Sequence, residues 1–133
     1  MAEPRALVAG EASGVALVLD EPLSFWGGLD PATGRLIDVH HPQAGEVVTG
    51  RVLVMPSGRG SSSSSSVLAE AIRAGTAPTA IVLREPDPIV ALGAIVAREL
   101  YGTRVPVVVA DAPIRTGERV RVSDALVRVE PGP

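Results

Sequence analysis

The sequence predicts an α/β fold with β-rich ends and a β-α-β-α-β unit in its middle, and two observations support this. Short apolar runs rich in β-branched residues, typical of strands, alternate near the centre with two longer segments whose apolar residues recur at helical spacing. Hydrophobic residues make up 46% of the chain, yet Trp, Tyr and Phe occur once each, so the core consists mainly of Val, Leu, Ile and Ala. That composition favours an α/β or β-rich fold over a helical bundle. The 133 residues are expected to form a single domain, residues 1–133.

The strands and helices can be placed in order along the chain. A turn is predicted at residues 10–14, between the first two strands. The first helix opens inside a run of six serines and ends at Gly75, and the second begins with Asp87 as N-cap and Pro88 at its first position and ends at Gly102. The sequence leaves open whether the two helices cover the same face of the sheet or opposite faces. Strands are predicted at residues 6–9, 15–19, 35–39, 51–55, 79–83, 104–110, 119–122 and 126–129.

Charge and composition exclude several classes of partner and cofactor. All 12 basic residues are arginine and the formal net charge is −3, so no broad basic surface for nucleic acid or acidic lipid is expected. The chain has no cysteine, which excludes a disulfide, a zinc–thiolate site or an iron–sulfur cluster held by this chain. The sequence shows neither a signal peptide nor an apolar run near the ~20 residues of a membrane span, so we expect a cytoplasmic protein.

The central stretch of the chain predicts an anion-binding site. A buried strand ends at Pro56, a Gly-Arg-Gly turn follows at residues 58–60, and six serines lead into the first helix. Such a turn directs backbone N–H groups to one point, and the helix dipole makes that point attractive to anions. Arg59 adds a positive charge and Ser61 a hydroxyl. A ligand is expected at this carboxyl end of the central strand, although a serine run can also be a plain linker.

Two other segments are candidates for contacts with a ligand. Phe25 and Trp26 lead directly into two glycines, so this stretch either joins the core or lines a pocket. His40 and His41 are adjacent and, on a strand, would point to opposite faces, which disfavours a shared metal ion. A ligand contact and a surface-loop position stay open for the histidines.

The residues alone do not fix the chemistry of the central turn. Ser61 lacks the Gly-x-Ser-x-Gly pattern of a hydrolase nucleophile, and a chain without lysine cannot form a P-loop. An arginine that binds a carboxylate or phosphate is left, beside a serine that can act on protons if its alkoxide is stabilised. A non-catalytic module that binds an anion at Arg59, and a solvated serine loop, are the alternatives.

Several motifs resemble those of the small subunit of the aconitase X group, the swivel-domain partner of a larger subunit. The resemblance implies a swivelling β/β/α domain, with a small sheet or barrel-like β structure and two main helices. It also implies a hydro-lyase that removes water from a small hydroxy acid: cis-3-hydroxy-L-proline in bacterial enzymes or 5-phosphomevalonate in archaeal ones. The motifs are Pro-Leu-Ser-Phe-Trp-Gly-Gly (22–28), His-Pro (41–42), Pro-Ser-Gly-Arg-Gly-Ser (56–61), Val-Leu-Ala-Glu (67–70) and Gly-Ala-Ile-Val-Ala (93–97).

The same resemblance implies roles for residues and a partner. It makes Ser61 the proton-accepting base. Ser62 is the main rival for that role, and we predict that Ser63–Ser66 are mostly helical or structural. In archaeal members, the residues after the arginine resemble Gly-Ser-Thr-x-Gly-Ser, whereas this chain has only serines there. This difference favours cis-3-hydroxy-L-proline over 5-phosphomevalonate as the substrate. A larger aconitase-like subunit, in a heterodimer or higher assembly, would carry an iron–sulfur cluster, and this chain alone would be inactive. Substrate contacts are expected from Arg59, Gly60, Ser62, Phe25, Trp26, Gly27, Gly28 and His41.

Overall fold

The computed structural model describes residues 4–131. The strands are β1 (Arg5–Val8), β2 (Glu11–Val18), β3 (Leu29–Asp30), β4 (Arg35–Leu36), β5 (Val52–Met55), β6 (Ala80–Leu83), β7 (Val107–Val109), β8 (Arg119–Ser123) and β9 (Leu126–Val129). The two main helices are α2 (Ser64–Ala74) and α3 (Pro88–Tyr101), and the short segment α1 (Phe25–Gly28) is a single turn whose Trp26 and Gly27 have non-helical angles. Seven strands form one curled sheet in the order β1-β7-β6-β5-β2-β8-β9, and β3 pairs with β4. The predicted α/β class is confirmed.

The predicted central unit is present as β5-α2-β6-α3-β7, and its three strands are parallel neighbours. Strand β2 adds to the other side of β5, also in parallel, whereas β1 and β8 join antiparallel. The carboxyl ends of four parallel strands therefore lie along one edge of the sheet. Because both main helices follow these strands, their N-termini lie at that edge too.

Both main helices cover the same face of the sheet, which answers the question that the sequence left open. Side chains alternate along β5: Leu53 and Met55 belong to an apolar cluster with Leu68 of α2 and Val90 of α3. The intervening Val52 and Val54 belong to a second cluster on the other face, which contains β8 residues and none from the helices. The curled sheet thus has an apolar core on each face.

The predicted helix boundaries are confirmed. The Asp87 carboxylate accepts hydrogen bonds from the N–H groups of Ile89 and Val90 at 2.9 and 3.2 Å, which caps α3. Gly75 and Gly102 end their helices in the left-handed conformation, with φ of 79° and 72°. The helices therefore start and stop where their local sequence directs them.

The predicted turn at residues 10–14 is wrong. Strand β2 already begins at Glu11 and pairs antiparallel with β8, while β1 pairs with β7 rather than with β2. Gly14 lies within β2. A Cβ at this position would come within 2.7 Å of the Gly50 carbonyl oxygen, which explains why the residue is glycine. This glycine permits a close backbone approach inside the sheet and does not mark a turn.

Two predicted strands are shorter than expected. Of residues 35–39, only Arg35 and Leu36 pair with β3, and the Asp38 carboxylate then accepts the His40 N–H at 2.9 Å, which favours a turn. Of residues 104–110, only Val107–Val109 form a strand. Proline at 106 has no N–H to donate, although its carbonyl accepts the Ile81 N–H at 2.9 Å.

Candidate functional site

The candidate site lies at the carboxyl edge of the parallel strands, where the segment after β2 meets the turn after β5. Leu23 pairs with Gly58 in an isolated parallel bridge, and the Arg59 N–H donates to the Leu23 carbonyl at 3.1 Å. The Gly-Arg-Gly turn is thereby attached to the neighbouring segment by main-chain bonds. These bonds hold Arg59 and Ser61 in a defined position at the start of α2.

Gly58 is required by a contact with the second helix. A Cβ at this position would lie 2.5 Å from Oδ2 of Asp87 and 3.0 Å from Cγ2 of Val90. Since the Asp87 carboxylate also caps α3, the turn after β5 packs directly on the N-terminus of that helix. The sequence indicates a glycine turn here, but not that Asp87 of a distant segment sets its shape.

Ser61 lies where the backbone stabilises charge on its hydroxyl oxygen. Its Oγ accepts a hydrogen bond from the Ser63 N–H at 3.1 Å, and its carbonyl accepts the Ser64 N–H at 3.0 Å. The side chain is partly buried beside the N-terminal end of α2. An N–H donor and the positive end of a helix both interact favourably with negative charge on the Ser61 oxygen.

Arg59 is available for a ligand. Its side chain is 60% exposed, and its guanidinium lies 4.0 Å from the Glu21 carboxylate, which is exposed as well. An ion pair of this length at the surface is weak. An anionic group entering the site can therefore replace Glu21 and accept two parallel hydrogen bonds from the guanidinium.

The segment Phe25–Gly28 divides between the two alternatives that the sequence left open. Phe25 is fully buried in the core, whereas Trp26 is 60% exposed. Trp26 (φ −70°, ψ 112°) and Gly27 (φ 79°, ψ −11°) have the angles of a type II β-turn, which requires a residue such as glycine at the second central position. Gly28 is buried against Leu23. The turn thus directs the Trp26 side chain to the surface and the Phe25 side chain into the core.

Ser64 joins that turn to the serine run. It is 4% exposed, and its Oγ accepts the Trp26 N–H at 3.1 Å and lies 3.3 Å from the Ser24 Oγ. The adjacent Ser62 and Ser63 are exposed. The sequence gives no sign that Ser64 differs from its neighbours, because the contact joins residues 38 positions apart.

His41 is buried, and both of its ring nitrogens have main-chain partners. Nδ1 accepts the Gln43 N–H at 3.0 Å, so Nε2 carries the proton that it donates to the Glu21 carbonyl at 3.1 Å. His41 thus supports the loop that holds the Glu21 main chain. His40 is exposed. The role of His41 in substrate binding stays a prediction.

The site forms a cleft between the two helix N-termini. The volume that the centre of a water molecule can occupy there is about 10 Å³, which is room for roughly one water molecule. A hydroxy acid of several carbon atoms cannot be enclosed there by this chain alone. The lining combines predicted residues with others that the sequence did not single out for this site: Leu23, Phe25, Gly58, Arg59, Gly60, Ser61, Ser64, Asp87, Ile89 and Val90.

An exposed apolar surface adjoins this cleft, and we call it the Trp26 patch. It consists of Trp26, Ile37 and Val67, which line one depression, and of Val39, which lines a second depression that shares Ile37 with the first. Ile37 is 47% exposed and Val39 is 82% exposed. Contiguous apolar surface of this kind is typical of an interaction site, and here the Ser64 hydrogen bond links it to the cleft.

This chain offers no thiolate ligand for an iron–sulfur cluster, and its described residues offer no clustered ligands for another metal ion. The chain has no cysteine, and residues 4–131 contain no group of three or more His, Asp or Glu side chains placed to hold a metal ion. Among the same residues, no helix is long and apolar enough to cross a membrane.

Comparisons with known proteins relate the sequence and the fold of this chain to one family. A family model described as the aconitase X swivel domain matches residues 1–130. The crystal structure of Thermococcus kodakaraensis aconitase X (holo-form) has a TM-score of 0.88 to this chain at 34% identity, with 97% of each chain covered.

Two curated relatives differ in how much of their length this chain covers. The chain is 58% identical over 104 residues to cis-3-hydroxy-L-proline dehydratase of Pseudomonas aeruginosa, which is 78% of this chain but only 18% of that protein. It is 46% identical over 93 residues to the phosphomevalonate dehydratase small subunit of Methanothermobacter thermautotrophicus, which is 70% of this chain and 71% of that subunit. The matched segment is therefore a small part of the first relative and most of the second.

Proposed function

The chain belongs to the aconitase X swivel domain family, and on that premise we propose that it is the small subunit of an aconitase-like hydro-lyase that dehydrates a small hydroxy acid. The observation that carries this proposal is the position of Ser61. Its oxygen accepts a backbone hydrogen bond at the start of α2, beside an available arginine, in a cleft too small to enclose a substrate.

Ser61 acts as the base in this proposal. Dehydration breaks one C–H bond and one C–O bond, forms a C=C bond and releases water. The Ser61 hydroxyl first loses its proton to a group outside this chain, and the alkoxide then takes the proton from carbon. The substrate hydroxyl leaves as water after gaining a proton that also comes from outside this chain. The Ser63 N–H and the N-terminal end of α2 stabilise the alkoxide before that transfer, as preorganised donors do in other active sites.

Arg59 binds an anionic group of the substrate. Its guanidinium projects from the turn that also carries Ser61, so one bound carboxylate or phosphate places the rest of the substrate close to the base. Gly60, with φ of 83°, and Ser62 continue the same turn. Substrate binding then replaces the weak contact of Arg59 with Glu21.

A larger subunit completes the site. The cleft holds about one water molecule, so the remaining walls of a substrate site come from elsewhere. The Trp26 patch offers apolar surface next to the cleft for the contact. The lengths of the relatives support the same arrangement, since this domain is 18% of the Pseudomonas protein and most of the Methanothermobacter small subunit.

Any iron–sulfur cluster belongs to the larger subunit in this proposal, because this chain lacks the cysteine ligands. We assign no step at the departing hydroxyl to residues of this chain. Its contribution is a base, a group that binds an anion and a surface for assembly.

The substrate that we propose is cis-3-hydroxy-L-proline. The identity to the Pseudomonas cis-3-hydroxy-L-proline dehydratase is 58%, against 46% to the Methanothermobacter phosphomevalonate dehydratase small subunit. Both candidates carry an anionic group for Arg59, a carboxylate in the first and a phosphate as well in the second. Identity, rather than the geometry of the cleft, therefore supports this choice.

Co-expression with the larger aconitase-like subunit of the same organism tests the proposal. The purified complex and each chain alone are assayed with cis-3-hydroxy-L-proline and with 5-phosphomevalonate. We expect the complex alone to dehydrate cis-3-hydroxy-L-proline. Turnover of 5-phosphomevalonate instead would overturn the proposed substrate assignment. A stable complex that binds either anion without turnover would overturn the proposed enzymatic activity in favour of a non-catalytic module.

A further inference from the structure

Ser64 differs from the five other serines of the run. It is buried at 4% exposure, whereas Ser62, Ser63 and Ser66 are exposed. A buried hydroxyl is costly unless it is hydrogen-bonded, and Ser64 is bonded on both its oxygen and its proton. Its partners lie in the turn that carries Trp26, far away in sequence.

The hydrogen bonds around Ser64 form a closed ring whose directions follow from the chemistry of each group. The Trp26 carbonyl can only accept, so the Ser24 hydroxyl donates to it, at 3.0 Å. Ser24 has then used its proton, so the Ser64 hydroxyl donates to the Ser24 oxygen at 3.3 Å. The ring closes where the Trp26 N–H donates to the Ser64 oxygen at 3.1 Å. Every donor in the ring has an acceptor.

Ser64 is also bonded to the proposed base through its main chain. The Ser64 N–H donates to the Ser61 carbonyl at 3.0 Å, while the Ser64 side chain bonds the main-chain N–H of Trp26 directly and its main-chain carbonyl through Ser24. A single residue therefore connects the base to the Trp26 patch. Two hydrogen bonds, one to the Ser64 hydroxyl and one from the Ser64 N–H, thus join the patch to the residue of the base.

We infer that Ser64 is a positioning residue, which fixes the Phe25–Gly28 turn and the Trp26 patch relative to Ser61. The structural half of this inference is that Ser64 fixes the turn, and it rests on the geometry of this chain alone. Its functional half, the alignment of the base with a substrate held by the larger subunit, rests on the proposed function. The two halves are measured separately.

The structural half is tested by hydrogen exchange at the Trp26 backbone amide, followed by NMR. In Ser64→Ala we expect this amide to exchange about tenfold faster, the size expected for loss of one hydrogen bond. Ser66→Ala, an exposed serine of the same helix, is the matched control and leaves the rate unchanged. Ser24→Ala keeps the Ser64 acceptor and gives a smaller increase. The amide of Leu53 in β5 reports any global loosening.

A Trp26 exchange rate in Ser64→Ala within twofold of that in Ser66→Ala overturns the inference. So does an equal increase at Leu53, because that indicates general destabilisation. If Ser64→Ala does not fold, Ser24→Ala decides: an exchange rate at Trp26 equal to the wild-type rate overturns the ring.

The functional half is tested in the complex with the larger subunit. We expect Ser64→Ala to raise KM about tenfold and to change kcat less, because Ser61 itself is intact. A merely structural role lowers the folded fraction, and so the apparent kcat, at unchanged KM, which contradicts positioning. Absence of dehydration by the wild-type complex counts against the proposed function, and the exchange experiment then decides the role of Ser64 by itself.

Discussion

The two ends of the parallel strands contain similar residues but differ in what they can bind. At the carboxyl end, a glycine turn carries Arg59 and Ser61. At the opposite end, a depression of about 240 Å³ is lined by Gly75, Thr103 and Arg104, among others, and is much larger than the cleft of about 10 Å³. Composition and volume alone would therefore favour the end opposite the proposed site.

The direction of the backbone separates the two ends. Helices α2 and α3 both begin at the carboxyl end, where the positive ends of their dipoles favour anions. They both terminate at the opposite end, where the N–H groups of Gly75 and Gly102 bond the last carbonyls. The proposed difference between the two ends therefore rests on the orientation of the peptide groups and not on residue type.

The largest expected effect is that of Ser61→Ala, with Thr103→Ala as the matched loss of a hydroxyl at the opposite end. In the assembled enzyme, Ser61→Ala should lower turnover by a factor of about 100 or more, as removal of a general base typically does. Thr103→Ala should leave turnover unchanged. Equal turnover in the two variants would remove the distinction between the ends.

A smaller effect is expected at the Trp26 patch. Trp26→Ala should weaken binding to the larger subunit about 30-fold, because a buried interface tryptophan often contributes this much. Leu100→Ala removes a side chain that is 67% exposed near the C-terminus of α3 and should not change the affinity. Calorimetric titration measures both. If Leu100→Ala weakens the complex and Trp26→Ala does not, the interface lies at the opposite end.

Arg59→Lys should raise KM about tenfold with a smaller change in kcat, because an ammonium cannot reproduce the two parallel hydrogen bonds of a guanidinium. Arg104→Lys, which keeps an exposed charge at the opposite end, is the control. Steady-state kinetics of the complex separate KM from kcat. Unchanged kinetics in Arg59→Lys would make Arg59 an ordinary surface charge.

The smallest effect is expected midway along α2, at an exposed pair. The hydrogen bond from Arg73 lowers the pKa of Glu70 below its ordinary value. The stability that the pair adds is therefore present at neutral pH and is lost as the pH falls through the lowered pKa. Glu70→Gln should lower Tm by no more than about 2 °C at pH 7, and by less at pH 3. A larger loss at pH 3 than at pH 7 contradicts the sign.

Local sequence signals predicted the fold better than they predicted the site contacts. The Asp87 cap, the glycine stops and the β-α-β-α-β unit follow from patterns within a few residues of each other. The prediction of a turn at residues 10–14 was wrong because Gly14 is required by the close approach of the Gly50 carbonyl, which is distant in sequence.

The same limit applies to the site. The sequence predicts Ser61 and Arg59, because a glycine turn before a helix is a local pattern. The sequence does not distinguish Ser64 from the neighbouring serines, because its burial and its hydrogen bond with Trp26 depend on the tertiary structure. The contact between Gly58 and Asp87 also joins two segments that no local pattern relates.

The central claim is that this chain supplies the base of a site shared with a larger subunit. The most direct test is a titration of the chain into a fixed amount of that subunit, followed by addition of excess Ser61→Ala chain. We predict that cis-3-hydroxy-L-proline dehydration is absent from either chain alone, rises to saturation on mixing, and falls again as the variant displaces the wild-type chain. Dehydration by one chain alone, or full activity sustained by the variant, would contradict the account.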